Sequence, residues 1–124
     1  MKYLGLGYFD KKKMDALPKE KVEAIMQKCQ VHLEEFYKSG QVVADVGVAQ
    51  EAKSLQRVDG KLQVGENQLT QLEKMIGSAF IIEAQNIEEA IEIASLHPTV
   101  QVTEGEQLAW DIEIRAVDSF YMKN

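Results

Sequence analysis

The sequence predicts an α+β domain in which two helices lie on one face of an antiparallel sheet. Three observations predict it. An apolar run at residues 2–9 leads into a long one-sided helical repeat. The pair Asp59-Gly60 sits between two short alternating runs, the pattern of a two-residue hairpin. The apolar run Ala79-Phe80-Ile81-Ile82 precedes a capped helix and a last alternating strand. A chain of 124 residues fits one domain, so residues 1–124 are read as a single unit. The 45% hydrophobic and 27% charged fractions are those of an ordinary globular protein.

In the first strand, Leu4, Leu6 and Tyr8 point to one face and Tyr3, Gly5, Gly7 and Phe9 to the other. Glycine weakens a strand, so two on one face imply close approach, by tight packing or by a ligand. Residues 10–17 read as a polar connection. Pro18 suits a first helical turn. From there Val22, Ile25, Met26, Cys29, Leu33, Phe36 and Tyr37 recur at three- and four-residue steps, and Gly40 closes the helix. This stripe needs a sheet beneath it.

Residues 41–48, rich in valine, read as the second strand, with a break at 50–53. In the hairpin, Leu55 should face Val64 and Arg57 should face Leu62. Residues 66–77 read as a loop with two helical turns, using Leu69, Leu72 and Ile76 as a short apolar face. Residues 79–82 are apolar on both sides, the mark of a strand covered twice. Asn86 with Glu89 three residues on makes a capping box in its Asn form. Ile87, Ala90, Ile91 and Ala94 form that helix's stripe, and Pro98 stops it. Residues 99–107 read as a polar loop. In the last strand, 108–117, Trp110, Ile112, Ile114 and Ala116 oppose Asp111, Glu113, Arg115 and Val117.

Right-handed crossovers turn this order into a ferredoxin-like sheet with both helices on one face. Strands 2–9 and 79–82 nonetheless carry apolar residues on both faces. The chain offers no third long helix, so the sheet of a second copy is the expected cover, giving a symmetric homodimer.

Composition narrows the function classes. The net charge of −6 argues against nucleic acid, which needs a dense basic surface. Lys11-Lys12-Lys13 is the only basic run, and reads as a solvated turn. Cys29 is the only cysteine, so no internal disulfide forms. It falls on the apolar stripe, as a small hydrophobe does. The apolar residues 3–9 are too few to span a bilayer and are followed, not preceded, by lysines. No membrane association and a cytoplasmic location are expected. No phosphate-cradling loop or dinucleotide fingerprint is present. Two dispersed histidines and one cysteine do not make a zinc site, so neither a metal nor an organic cofactor is expected.

The chain resembles the YCII-related family, also called the DGPF-domain family. The resemblance is best over Arg57–Pro98 and Asp111–Val117. Its hairpin is Asp59-Gly60. In register with the namesake Asp-Gly-Pro-Phe stand Glu66-Asn67-Gln68-Leu69, and the family's following charged stretch falls on Gln71 to Lys74. Gly77-Ser78 takes the place of Gly-Gly before a strand, His97-Pro98 the place of His-Pro, and Glu113-Ile114-Arg115-Ala116 the place of Glu-x-Arg-Pro. Some relatives place a His near the start of the first helix, paired with an Asp. Residues 18–21 here are Pro-Lys-Glu-Lys, so that pair does not carry over. The resemblance implies a dimeric α/β barrel of no established reaction.

His97 is the leading candidate for chemistry, because histidine titrates near neutral pH. Its structural alternative is a cation at a helix C-terminus. His32 beside the α-helical stripe reads as a boundary residue. Glu113 and Arg115 share one face of the last strand. They are either a proton-transfer base and an anion-steadying cation lining a dimer cavity, or an interface ion pair. Asp111 extends that row and reads as solvated. Glu66 holds the family acid's position, at a cavity mouth or in solvent. Tyr3 and Phe9, with the gap above Gly5 and Gly7, would wall a flat ligand. The functional expectation is a homodimer that binds a small aromatic or enolizable molecule between sheets, with cofactor-independent proton-transfer or lyase-type chemistry. The alternative is a non-catalytic interaction or regulatory protein that keeps only the fold.

Overall fold

The computed structural model describes residues 1–67 and 73–124. Among the described residues six strands form: β1 (Lys2–Asp10), β2 (Val42–Gly47), β3 (Ser54–Val58), β4 (Lys61–Gly65), β5 (Lys74–Glu83) and β6 (Asp111–Ala116). Four α-helices accompany them: α1 (Lys11–Asp15), α2 (Lys19–Lys38), α3 (Ile87–Ala94) and α4 (Pro98–Gln101). The main sheet has the order β2-β5-β1-β6, antiparallel throughout. That is the ferredoxin-like arrangement, with β3–β4 inserted between its second and third strands as a separate sheet.

Register explains the core. Gly5 pairs with Phe80 and Ile114, and Tyr3 with Ile82. Directly paired residues share a face. Tyr3, Phe80 and Ile82 therefore meet Phe36 of α2 and Ala90, Ile93 and Ala94 of α3 in one buried cluster, with Ile112 and Ile114 at its margin. The alanines let α3 sit close to the sheet. A second, smaller cluster joins Ile25 of α2 to Val102 and Leu108.

The hairpin forms in the expected register, Leu55 opposite Val64 and Arg57 opposite Leu62. Its turn has positive φ at both Asp59 (50°) and Gly60 (77°), the geometry that matches strand twist. Asn86 caps α3 by accepting from the Glu89 N–H at 2.9 Å. The return half of the box is shifted: Glu89 Oε1 accepts from the Gln85 N–H at 3.2 Å and from Gln41 Nε2 at 2.9 Å, tying α3 to β2's entry.

Four expectations need correction. Residues 10–17 contain a helix, because Asp10 accepts from the Lys13 N–H at 3.1 Å and Lys11 pairs with Asp15 one turn on at 2.5 Å. β5 begins at Lys74, not Ala79, because Met75 and Ile76 continue the ladder with Phe9 and Tyr8 beyond a register shift at Gly7/Tyr8. Residues 99–107 are not a plain loop. Pro98 stops α3 but opens α4, as proline does at a first helical position, and a 3₁₀ turn follows at Thr103–Gly105. The last strand starts at Asp111, after Ala109 at φ 55°. The two helical turns expected over 66–77 rest partly on Leu69 and Leu72, outside the described residues; Ile76 is in β5.

The opposite face of the sheet carries Leu4, Leu6, Ala79 and Ile81, all half-buried, and Val46, which is 52% exposed. No helix of the described residues is long and apolar enough to cross a membrane.

Candidate functional site

Gly5 and Gly7 face the same side of β1, but different things fill the space above them. A side chain at Gly5 would run into the Phe80 ring, with a Cβ only 2.1 Å from ring carbon Cζ. Tight packing accounts for Gly5. Above Gly7 the neighbours are small, the hydroxyls of Ser78 and Thr99. The helix-covered layer hollows there into a cavity of about 480 Å³. Gly7, Phe9, Gly77 and Ser78 lie along its floor, and Met26, Cys29, Leu33 and Tyr37 of α2 along one wall. Asp45 of β2, His97 with Thr99, and Trp110 complete it.

His97 is placed by chain geometry. Three residues after α3 ends, it serves as the cap of α4, its Nδ1 accepting from the Thr99 N–H at 3.1 Å. Its ring stacks on Phe80 (5.1 Å, 22°) and meets Phe36 edge-on (5.1 Å, 80°), leaving the residue 4% exposed. Burial lowers its pKa, opposed in part by the Asp45 charge. It is therefore not the helix C-terminal cation that one sequence reading offered. Because Nδ1 accepts, the proton of the neutral ring sits on Nε2. Nε2 has no hydrogen-bond partner among the described residues, yet no fully sealed side-chain polar atom among them lacks one. Nε2–H is therefore not fully sealed, on a residue that lines the cavity.

Asp45 and Tyr37 form the second polar element. The Tyr37 hydroxyl donates to Asp45 Oδ2. That bond, with burial and the carboxylate's charge, pushes the Tyr37 pKa up to about 12. Tyr37 stays protonated at neutral pH and holds one carboxylate oxygen. The cavity thus has an acceptor, Asp45, and a donor, His97, in largely apolar surroundings. Cys29 on its wall is half-buried, and burial followed by the Glu104 charge raises its thiol pKa, the condition of an unreactive thiol. Among the described residues no group of three or more His, Cys, Asp or Glu is arranged to hold a metal.

The other sequence candidates are dispersed. Phe9 and Gly7 line the cavity; Tyr3, 3% exposed, is sunk in the core, and Gly5 lies beneath Phe80. Glu113 and Arg115 pair with Leu6 and Leu4, which puts them on the opposite face. There Glu113 Oε1 accepts from the Tyr8 hydroxyl at 3.0 Å, and no ion pair joins Glu113 to Arg115 among the described residues. Burial and that bond raise the Tyr8 pKa, with Arg115 opposing. Glu66 pairs with Lys53 at the hairpin's base, and Asp111 with Lys74. His32 is half-buried and outside the cavity lining.

Sequence reasoning missed Asp45 and Tyr37. Asp45 left a signal: an acid inside Val42-Val43-Ala44-Asp45-Val46 is out of place in an apolar strand. Tyr37 left none, since it continues the stripe of α2.

A family model for the YCII-related domain matches residues 1–109. The match starts at the first strand and stops short of β6, whereas the motifs alone pointed to residues 57–98 and 111–117. The comparison with curated proteins returned no match. With nearly nine-tenths of its length covered, this chain belongs to the YCII-related family.

Proposed function

We propose that this protein is a cofactor-independent homodimer that binds a small aromatic or enolizable molecule between α2 and the sheet and moves a proton on it. The observation that carries this reading is that Asp45 and His97, whose Nδ1 is already taken by the Thr99 N–H, line one largely apolar cavity. An acceptor and a donor so placed are what enolisation needs. Asp45 takes a proton from the carbon beside a carbonyl. The C–H electron pair becomes a C=C bond, and the carbonyl π pair moves onto oxygen, which His97 Nε2–H steadies. Return of the proton to another carbon gives isomerisation; departure of a β-leaving group with the electron pair gives a lyase reaction. The proton-transfer role thus moves from Glu113 to Asp45, while His97 acts as donor.

The homodimer rests on the uncovered face. Leu4, Leu6, Ala79, Ile81 and Val46 form one apolar patch there, and a two-fold contact between identical sheets would bury it. Glu113 and Arg115 border that contact in this reading. A cytoplasmic location fits a chain whose one cysteine leaves no internal disulfide to form. A non-catalytic role draws on a separate observation, the replacement of the family's Asp-Gly-Pro-Phe by Glu66-Asn67-Gln68-Leu69.

The test is deuterium incorporation from heavy water into the α-position of 1-phenyl-2-propanone, followed by proton NMR. Exchange above the buffer rate is expected. It should fall about 100-fold or more in Asp45→Asn and about 10-fold or more in His97→Asn. Asparagine keeps a cap for α4 while removing the imidazole donor. Binding without exchange would favour the non-catalytic role. For the dimer, sedimentation should give twice the chain mass, and Leu6→Asp should halve it; a stable wild-type protomer at micromolar concentration contradicts it.

A further inference from the structure

We infer that the pocket excludes anions, so that its substrate is an uncharged or cationic aromatic carbonyl compound and not a keto acid. This rests on the pocket reading above and deepens it. Among the described residues, Asp45 is the single formally charged group lining the cavity. The five residues outside the description, Gln68, Leu69, Thr70, Gln71 and Leu72, have uncharged side chains and cannot supply a cation either. Tyr37 is protonated, and burial favours the neutral form of His97.

Three lysines are held by carboxylates and one arginine is turned away. Lys28 pairs with Glu104 at 2.5 Å, Lys74 with Asp111 and Lys53 with Glu66. Arg115 is on the opposite face of the sheet. A carboxylate entering the cavity would lose its hydration and meet Asp45 with no counter-charge. The remaining surface suits a flat uncharged ring: Phe9, Trp110 and Tyr37 supply aromatic area, and Met14, Met26 and Cys29 supply polarizable sulfur. The whole chain, at −6, adds to the same field.

A matched pair tests this. Phenylpyruvate and 1-phenyl-2-propanone share the benzyl ketone and differ in a carboxylate for a methyl. Isothermal titration of the full chain near neutral pH should show the ketone binding about 10-fold or more tightly, or about 1.4 kcal/mol. In Asp45→Asn, shown folded by circular dichroism, the preference should shrink to within about 3-fold. Should that variant not fold, the wild-type ratio still decides. Equal or tighter binding of phenylpyruvate by wild type overturns the inference and leaves the pocket standing, as does an unchanged ratio in folded Asp45→Asn. Failure of both compounds to bind removes the pocket reading and the inference with it.

Discussion

Gly5 and Gly7 stand two residues apart on one strand and face the same layer, but one is sealed and the other open. Gly5 lies under the Phe80 ring, which itself packs against Phe36 and His97. Gly7 lies under two small hydroxyl side chains and a cavity. Part of the difference lies in the register partner. β5 sets Phe80 opposite Gly5 and Ser78 opposite Gly7. A large aromatic closes the sheet–helix space at one end, and a small residue leaves it open at the other. The helix above follows suit, with Phe36 over the sealed end and Met26, Cys29 and Leu33 beside the open one.

The largest test of this contrast is at the sealed end. Phe80→Ala should cost about 3–5 kcal/mol in urea unfolding, the usual result of deleting a buried aromatic. Gly5→Ala should cost about 1–3 kcal/mol in the wild type, because the ring has little room to yield, and much less when Phe80 is already Ala. Additive costs for the pair would show that the ring is not what Gly5 accommodates.

A smaller effect lies on the ring that touches both ends. His97 has a folded-state pKa below its unfolded value near 6.5. The unfolded chain therefore binds the proton first, so stability should fall as pH drops below about 6.5 and level off below the folded-state value. His97→Asn should abolish this part of the slope. A slope that survives the substitution would place the titration elsewhere.

The smallest effect is expected at the open end. Gly7→Ala requires the Ser78 hydroxyl to turn aside, since the new Cβ would lie 2.3 Å from it. A rotatable hydroxyl yields more easily than a packed ring, so the cost should stay below about 1 kcal/mol. A cost equal to that of Gly5→Ala would erase the distinction between the two ends.

The fold was readable because its signals are local. Asp59-Gly60 sets its own turn, Asn86 caps its own helix, and the stripe of α2 repeats within one segment. The opening of β5 was not readable. Lys74 to Gly77 gain their strand character from β1, through Tyr8 and Phe9, more than sixty residues away. Residues 98–105 were hidden for a related reason, since Pro98 both ends one helix and starts the next. At the site, His97 was legible as a residue type, but its role was not. A C-terminal cation and a buried neutral cap look alike until Thr99, Phe80 and Phe36 are in place. Glu113 and Arg115 share a face, as strand alternation requires, but alternation alone does not say which face the helices cover. The apolar Tyr3–Phe9 face and the apolar Leu4–Leu6 face are nearly equal in that respect.

Trp110 is the single tryptophan of the chain and lines the cavity, so its fluorescence reports directly on whether that space takes a ligand. Titration with 1-phenyl-2-propanone should give a saturable change in Trp110 emission, and binding followed by calorimetry should be lost when a bulky side chain fills the space in Cys29→Trp/Trp110→Phe. Saturable binding by calorimetry with no change in Trp110 emission, or binding that survives the filled cavity, would contradict a site between α2 and the sheet.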